Sequence, residues 1–251
     1  MLLFELEGFG PFLYALSMMH RLHDIADIKS TPSSFAIIIP QNFICCAVAL
    51  NIDPQFFNQF SCNQRHYFTT SLTDLVTNLA DMDREGSNLL TLSFVRFQPH
   101  MVLEFEKHVL DEVHNVSTFE IPISIPSYRQ DVGEIDYSSF VSIELDLFKT
   151  LARWLDNAYE AYVTISSSKI TFFVGRSRFT LDAQERDCII GGVAIGQEIN
   201  SSMTLYPMQF YCNLVSDRLW LFKSIGSNCL ILIAPLGLYA HFSSYYFPDD
   251  F

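Results

Sequence analysis

A nine-residue segment occurs twice in the chain, and this duplication restricts the possible folds more than any other feature. The first copy is Gly86-Ser-Asn-Leu-Leu-Thr-Leu-Ser-Phe94, and the second is Gly226-Ser-Asn-Cys-Leu-Ile-Leu-Ile-Ala234, 140 positions later (226 − 86). In each copy Gly-Ser-Asn is typical of a turn, and the apolar run after it is typical of a β-strand. A second strand candidate follows each copy, at residues 101–106 and 236–242. Each copy therefore predicts a β-hairpin.

A second pair of segments has nearly the same spacing. Residues 4–7 are predicted as a strand that leads into a helix at 10–23, and residues 141–144 lead in the same way into a helix at 145–158. Further amphipathic helices are predicted at 71–82 and 206–219, each before its Gly-Ser-Asn turn. Both halves thus have the order strand, helix, strands, helix, strands. We predict an α+β fold of two similar domains in tandem.

The predicted domain boundaries follow from a loss of periodicity after Glu106. The segment Ile121-Pro-Ile-Ser-Ile-Pro126 is predicted to be extended, because each proline disfavours helix at itself and at the residue before it. A polar, charged stretch comes next. We predict an N-terminal domain at residues 1–121, an interdomain connector at 122–137 and a C-terminal domain at 138–251.

Composition excludes several classes of protein. With 49% hydrophobic residues, the 251-residue chain can bury two cores, and its net charge of −13 argues against a protein that coats nucleic acid with its whole surface. The six cysteines form no Cys-x-x-Cys and are predicted as buried thiols in a reducing compartment. Glu5 and Glu7 interrupt the apolar N-terminus, and no apolar run reaches about 18 residues. Neither a signal peptide nor a transmembrane helix is predicted.

No catalytic constellation is evident. The sequence contains no Gly-x-Ser-x-Gly, Walker A or His-Glu-x-x-His motif, and Gly191-Gly-Val-Ala-Ile-Gly196 lacks the dinucleotide-binding spacing. His20 and His23 lie one turn apart on a predicted helix, but no third metal ligand accompanies them, so a solvated face is favoured. We predict no catalytic residue, no metal and no cofactor.

Several segments resemble one family, the proliferating cell nuclear antigen, which is the DNA sliding clamp of eukaryotes and archaea. Phe57-Asn-Gln-Phe-Ser-Cys62-Asn-Gln-Arg-His-Tyr-Phe-Thr-Thr-Ser-Leu72 is similar to the clamp segment Phe-Asp-Thr-Tyr-Arg-Cys-Asp-Arg, which runs without a gap into Asn-Leu and the second helix. Asp136-Tyr-Ser-Ser139 followed by Val141 resembles its Glu-Tyr-Ser-Cys-Val. Ala234-Pro-Leu236 resembles its Val-Pro-Leu, and Tyr245-Tyr-Phe-Pro248 its Tyr-Tyr-Leu-Ala-Pro terminus. The resemblance covers nearly the whole chain at low identity.

This resemblance implies a homotrimeric ring with the clamp, or processivity, fold. Helices would line a central hole around duplex DNA, and sheets would form the outside. The clamp would act in DNA replication and repair in the nucleus as a processivity factor. It would tether DNA polymerase, the clamp loader and other partners that carry a peptide motif. The ring itself would be no enzyme.

The resemblance also implies three sets of site residues. Side chains facing DNA would be Arg21, Lys149, Arg153 and Arg218. The partner pocket would be built from Pro40, Ile44, Cys45, Val132, Pro235, Tyr246, Phe247 and Pro248, although the usual Gly-Ile-Pro of the connector is absent. Subunits would join through two edge strands, with Met101, Val102, Leu103 and Phe105 on one and Arg178, Phe179 and Leu181 on the other.

Two other functions remain open at this stage. The small number of basic residues on the predicted helices favours a divergent relative, either one subunit of a heterotrimeric DNA-damage checkpoint clamp or a viral clamp-like factor. An unrelated enzyme with duplicated domains is the other alternative, and a buried polar cluster in a concave pocket would indicate it. The mass of the protein in solution distinguishes a self-trimer from a monomeric relative.

Overall fold

The computed structural model describes residues 1–40, 46–95, 98–109, 112–126, 134–155 and 158–246. Its mainly antiparallel sheets and few helices confirm the predicted α+β class. The chain forms two compact units. The first comprises Met1–Ile39, Leu50–Arg129 and Leu238–Ala240, and the second comprises Pro40–Ala49, Gln130–Gly237 and His241–Phe251.

The elements of the first half are β1 (Leu2–Glu7), α1 (Gly10–His20), β2 (Ile25–Thr31), β3 (Ser34–Ile39), β4 (Cys46–Ile52), β5 (Gln59–Cys62), β6 (His66–Ser71), α2 (Leu72–Glu85), β7 (Leu89–Phe94), β8 (His100–Val109) and β9 (Glu112–Ser124). A five-stranded sheet has the order β5-β1-β7-β8-β9. At the end of β9, Ile123 and Ser124 pair with Thr70 and Thr69, which joins this sheet to β6-β2-β3.

The elements of the second half are β10 (Ile135–Glu144), α3 (Leu145–Trp154), β11 (Ala161–Ile165), β12 (Lys169–Val174), β13 (Ser177–Asp182), β14 (Cys188–Gly191), β15 (Ile199–Met203), α4 (Met208–Asn213), β16 (Arg218–Ser224), β17 (Leu230–Pro235) and β18 (Ala240–Tyr246). One sheet of the second unit has the order β14-β10-β16-β17-β18, followed by β4, whose residues Cys46–Ala49 belong to this unit. The other sheet has the order β13-β12-β11-β15.

The two halves repeat the same order of elements and the same strand pairings. In the first half β1 lies between β5 and β7, and in the second half β10 lies between β14 and β16. The register repeats as well. Leu3 on β1 is opposite Ser93 on β7, and Phe140, at the corresponding position of β10, is opposite Phe222 on β16. The predicted internal duplication is therefore present at the level of individual strand partners. The two Gly-Ser-Asn turns are not counterparts in it, because Gly86 precedes β7 whereas Gly226 precedes β17, the counterpart of β8.

Helix α2 forms for clear local reasons. The hydroxyl of Ser71 accepts a hydrogen bond from the amide of Asp74 at 3.1 Å, which caps the first turn. Gly86 ends the helix with φ of 83°, a left-handed conformation that costs glycine nothing. Leu72, Leu75, Leu79 and Met82 form its buried stripe. The prediction of a helix at 71–82 is confirmed within three residues.

The predicted helix at 206–219 is wrong in length. The observed helix α4 spans only Met208–Asn213, and β16 already begins at Arg218. Between them the hydroxyl of Ser216 donates a hydrogen bond to the carbonyl of Arg218 at 2.8 Å, as serine often does in turns. The apolar residues Leu219 and Leu221 therefore alternate across a strand and do not continue a helical stripe.

The connector predicted at 122–137 overlaps strands at both ends. Strand β9 extends to Ser124, and β10 begins at Ile135. Residues 127–133 lie outside the described residues, and the boundary between the two units falls within them. The N-terminal boundary at 121 and the C-terminal boundary at 138 remain predictions.

Aromatic side chains fill much of the core of the first unit. The ring of Phe4 on β1 contacts Phe12 on α1, Phe35 on β3 and Phe57, with centroid distances from 4.4 to 5.9 Å. In the second unit, Phe148 of α3 contacts Tyr211 of α4, and both rings are fully buried. Each unit thus has its own hydrophobic core, with its two helices packed together on it.

Candidate functional site

The strand predicted to carry one subunit contact is not an edge strand. Strand β8 pairs with β7 on one side and with β9 on the other. Met101, Leu103 and Phe105 point into the core and are fully buried, whereas Val102 faces outwards and is half-buried. The placement of an open edge at residues 101–107 is therefore wrong. The alternating pattern of β8 does not show whether a strand has one neighbour or two.

The strand with an open edge in the first unit is β9. Residues 112–122 pair with β8, whereas on the other side only Ile123 and Ser124 have strand partners among the described residues. Val113 and Val116 on this strand are 53% and 51% exposed. The ring of Phe119 contacts Phe105 at a centroid distance of 5.8 Å and remains partly exposed. Strand β9 was not predicted, because its residues are mostly polar.

The second predicted contact strand does lie at an edge. Within the described part of the chain, β13 pairs only with β12. Arg178 is exposed, and Leu181 is buried in the core. Phe179 lies against Trp154 at the end of α3, with a centroid distance of 5.5 Å, and Trp154 is 48% exposed. An apolar patch thus borders the open edge of β13, and Trp154 belongs to it although it was not predicted there.

In the second unit, the counterpart of β9 is paired with the counterpart of β13. Strand β18 is the counterpart of β9, because each is the last strand of its five-stranded sheet. Strand β4 is the counterpart of β13, because each is the fourth strand of its half in chain order. In the second unit β18 and β4 are neighbours in one sheet. The chain therefore contains one pairing between the counterparts of β9 and β13.

Three of the four predicted DNA-facing residues lie on or next to helices. Arg21 directly follows α1 and is exposed, and Lys149 and Arg153 lie on α3. Arg218 lies at the start of β16 instead. Its guanidinium donates to the hydroxyl and carbonyl of Ser142 at 2.9 and 3.0 Å and lies 3.5 Å from a carboxylate oxygen of Glu144. These bonds hold Arg218 on the outer face of a sheet, so its prediction as a helix residue is wrong.

The exposed surface of helix α2 in the first unit is acidic. Helix α2 carries Asp74, Asp81, Asp83 and Glu85 against one basic residue, Arg84, which forms an ion pair with Asp81 at 3.0 Å. His20 at the end of α1 lies 3.2 Å from Asp24. Helices α3 and α4 of the second unit carry Asp146, Lys149 and Arg153. Phosphate groups would meet a weak and uneven positive potential on these faces.

Only part of the predicted partner pocket can be placed. Ile44, Cys45, Val132, Phe247 and Pro248 lie outside the described residues. Pro40, Pro235 and Tyr246 all belong to the second unit. Pro40 is buried, and Pro235, which opposes His241 across β17 and β18, is half-buried, as is Tyr246. Burial lowers the pKa of His241, so this imidazole is neutral near pH 7.

A metal-binding cluster or a thiol with a low pKa would indicate a reactive site. Among the described residues, no three His, Cys, Asp or Glu side chains lie close enough together to hold a metal ion. Burial, and then Asp187 and Asp182, raise the pKa of Cys188 to about 11, so this thiol is a poor nucleophile.

Within the same described ranges, no helix combines the length and apolar character needed to cross a membrane.

No model of a protein family matches the chain, and no curated protein matches it.

Proposed function

We propose that the protein is a subunit of a ring-shaped DNA sliding clamp. The observation that carries this proposal is the duplicated topology with two open edges, β9 and β13, whose counterparts β18 and β4 are neighbours in one sheet. A chain that repeats one unit and leaves one such pair open can join head to tail with further copies. Contacts of this heterologous kind give a closed ring if the rotation between copies closes.

The proposed contact places β9 of one copy beside β13 of the next. Backbone groups that have no strand partner in the described chain would then be paired, and the exposed Val113 and Val116 would be covered. Phe179 lies on β13 and contacts Trp154, and Phe119 lies on β9. Aromatic side chains are therefore available at both edges. Aromatic anchors of this kind carry much of the binding energy of protein interfaces.

In this proposal the ring retains DNA by enclosing it and not by binding it tightly. Arg21, Lys149 and Arg153 would face duplex DNA together with the acidic side chains of α2, so attraction to phosphate would be weak. Enclosure would hold the ring on DNA while the outer surface, including Pro40, Pro235 and Tyr246, tethers DNA polymerase and other replication and repair proteins in the nucleus. In this proposal the subunit performs no chemistry.

The acidic surface of α2 favours a second candidate, a subunit of a heterotrimeric checkpoint clamp or of a viral clamp-like ring. In such a ring the other subunits would supply the basic helix faces that this chain lacks. The two candidates differ in what the purified chain does alone. The first gives homotrimers, and the second gives monomers that assemble only with other proteins.

The deciding experiment is native mass spectrometry of the purified chain, with a variant of the open edge. We expect a species of three times the 28.8 kDa mass of the chain. Val116→Arg should abolish it, because the new charge lies on β9 opposite a strand that carries Arg178, and like charges across an interface cost several kcal/mol.

The matched control is Val102→Arg. Val102 lies on the interior strand β8 beside Glu120, so an arginine there can pair with a carboxylate and should leave the trimer intact. A wild-type chain that stays monomeric at micromolar concentration contradicts the homotrimer and supports the second candidate. Loss of the trimer in both variants would contradict the placement of the contact at β9.

A further inference from the structure

The core of the second unit is open at the end where the core of the first unit is closed. In the first half, Phe94 at the end of β7 is buried and contacts Phe68 at a centroid distance of 4.7 Å. Lys223 on β16 is its counterpart, because each follows one of the corresponding residues Ser93 and Phe222. The fold therefore closes this end once with an aromatic residue and does not require a charged residue there.

A cleft of about 440 Å³ opens beside Lys223. It is lined by Asp136 on β10, by Lys223 and Ser224 on β16, and by the turn at residues 225–228. On its inner side the half-buried Lys223 also borders a small cavity in the core. Binding sites for small molecules are clefts of roughly 300–1,000 Å³ in which a few polar groups fix the ligand. This cleft has such a size and carries such groups.

Two opposite charges line the cleft without forming an ion pair. Asp136 and Lys223 are directly opposed across β10 and β16, yet no ion pair joins them, and Lys223 has no hydrogen bond to any described residue. Asp136 is bound by Ser138 instead, whose amide donates to its carboxylate at 2.9 Å. The bonds from Ser138, and to a smaller extent the charge of Lys223, lower the pKa of Asp136, so this carboxylate is ionised at neutral pH.

The turn after β16 offers further hydrogen-bond donors. The backbone amides of Gly226, Ser227 and Asn228 donate to no described residue, and neither does the side-chain amide of Asn228. Gly226 adopts a φ of 85°, a conformation that favours glycine. Successive amides of a turn that have no partner can form a concave site for an anionic group. A carboxylate bound at this turn would lie in the cleft that Lys223 lines.

The charges around the cleft decide which ligand fits. Glu134 is close by, since its carbonyl accepts a hydrogen bond from the amide of Ile225 at 2.8 Å, and its side chain is exposed. Together with Asp136 and Lys223 it gives one positive and two negative groups, so a simple anion is not attracted from a distance. A simple cation meets the ammonium group of Lys223. A ligand with one charge of each sign matches both groups and has no net charge to be repelled.

We propose that the cleft is a binding site for a zwitterion of the α-amino-acid class. The ammonium group of the ligand binds the carboxylate of Asp136, and its carboxylate binds the ammonium group of Lys223 and the backbone amides of residues 226–228. Ile225, which is 55% exposed, is placed to contact an apolar side chain of the ligand. All of these groups belong to the second unit and none lies on the open edges β9 and β13, so the site does not depend on the ring.

Saturation-transfer NMR on the full chain tests the site, because it detects weak binding from the signals of the ligand at any mass of the protein. The probes are L-alanine and L-leucine, with propionate and ethylammonium as analogues of alanine that keep only one of its two charged groups. Each probe is titrated to about 10 mM, which covers dissociation constants in the millimolar range. The wild type should bind both amino acids, and each analogue at least about tenfold more weakly than L-alanine, because a charge-assisted hydrogen bond is missing.

Two variants remove one charge each. Lys223→Met keeps most of the length of the side chain, and Asp136→Asn keeps an acceptor for the amide of Ser138. Each should raise the dissociation constant for L-alanine at least about tenfold, because a charge-assisted hydrogen bond is lost. The matched controls Lys169→Met and Asp146→Asn remove the same charges from exposed positions outside the cleft and should bind L-alanine as the wild type does. Circular dichroism establishes that every variant is folded.

Three results would overturn the proposal. The first is an absence of saturation transfer to both amino acids at the highest concentration. The second is binding of propionate or ethylammonium to the wild type as tightly as L-alanine, which would show that one charge is enough. The third is unchanged binding of L-alanine in both Lys223→Met and Asp136→Asn, which would place the amino acid elsewhere on the protein.

Discussion

Asp27 is a buried carboxyl group on β2 and is 4% exposed. It accepts hydrogen bonds from the hydroxyl of Thr69 at 2.6 Å and from that of Tyr67 at 3.0 Å. Burial raises the pKa of Asp27 in spite of these two donors. The folded state therefore favours the neutral acid, and stability present at low pH is lost as pH rises through the folded-state pKa.

We expect Asp27→Asn to become more stable relative to the wild type as pH rises from about 3 to about 7, across the ordinary titration range of aspartate. Urea denaturation at several pH values measures this difference. Asp83→Asn, on the exposed surface of α2, controls for the loss of one negative charge. A difference between Asp27→Asn and the wild type that does not change with pH would contradict the assignment.

The cysteines should differ in reactivity because they differ in burial. The pKa of Cys188 is about 11, so roughly one thiol in a thousand is ionised at pH 8, the form that reacts with iodoacetamide. Cys212 on α4 is only half-buried. We expect mass spectrometry of the alkylated peptides to show Cys212 modified well before Cys188 in the folded protein. Equal rates without denaturant would contradict this.

At the scale of the element, helix α2 depends on its cap. Ser71→Ala removes the acceptor for the amide of Asp74 and should lower the free energy of unfolding by about 1 kcal/mol. Thr77→Ala, in the exposed middle of the same helix, is the control and should be neutral or slightly stabilising, because alanine is the better helix former. The midpoint of urea denaturation measures both. An unchanged midpoint in Ser71→Ala would show that the cap contributes nothing.

The elements that the sequence predicted well are those with local signals. Helix α2 has a cap at each end and a clear apolar stripe, and the repeated Gly-Ser-Asn turns both precede strands, β7 and β17. Helix α4 was predicted too long because Leu214, Leu219 and Leu221 are apolar in either a helix or a strand. Periodicity over so short a segment cannot separate the two.

The site was harder to predict than the fold, because an open edge is a property of the sheet and not of the strand. Strand β8 shows clear alternation yet has two neighbours, whereas the polar β9 has the open side. Arg218 was predicted on a helix because the apolar residues around it were given the period of a helix instead of the alternation of a strand. Phe179 was predicted on the second contact strand, which is β13, but its contact with Trp154 depends on where α3 ends, and this position was not predicted.

At the scale of the whole molecule, the acidic surface of α2 predicts how the proposed ring would hold DNA. Direct binding to linear duplex should be weak, and its logarithm should fall with the logarithm of salt concentration by about 0.9 for each phosphate contacted. A ring loaded on circular DNA should survive salt that removes it from linear DNA, because it can leave only over free ends. Equal loss from both templates in gel filtration would contradict enclosure.

Charge reversal on α2 provides a sharper prediction. Asp81→Lys, Asp83→Lys should strengthen binding to linear duplex and steepen its salt dependence by up to about 0.9 per new phosphate contact. The mass of the assembly should not change, because both side chains are exposed. Asp136→Lys, Glu134→Lys adds the same charge away from the helices and is the control. Equal gains in both variants would show that the helices have no special position towards DNA.

The length of β9 has a consequence for how long a newly made chain survives. Until another molecule covers this strand, Val113 and Val116 stay in water beside backbone groups that can pair with any extended polypeptide. If the proposed ring is right, such a chain would be a substrate for chaperones and proteases, and its abundance would depend on how fast it finds a partner. Cellular supply would therefore be self-limiting: surplus single chains would be degraded while assembled ones persist.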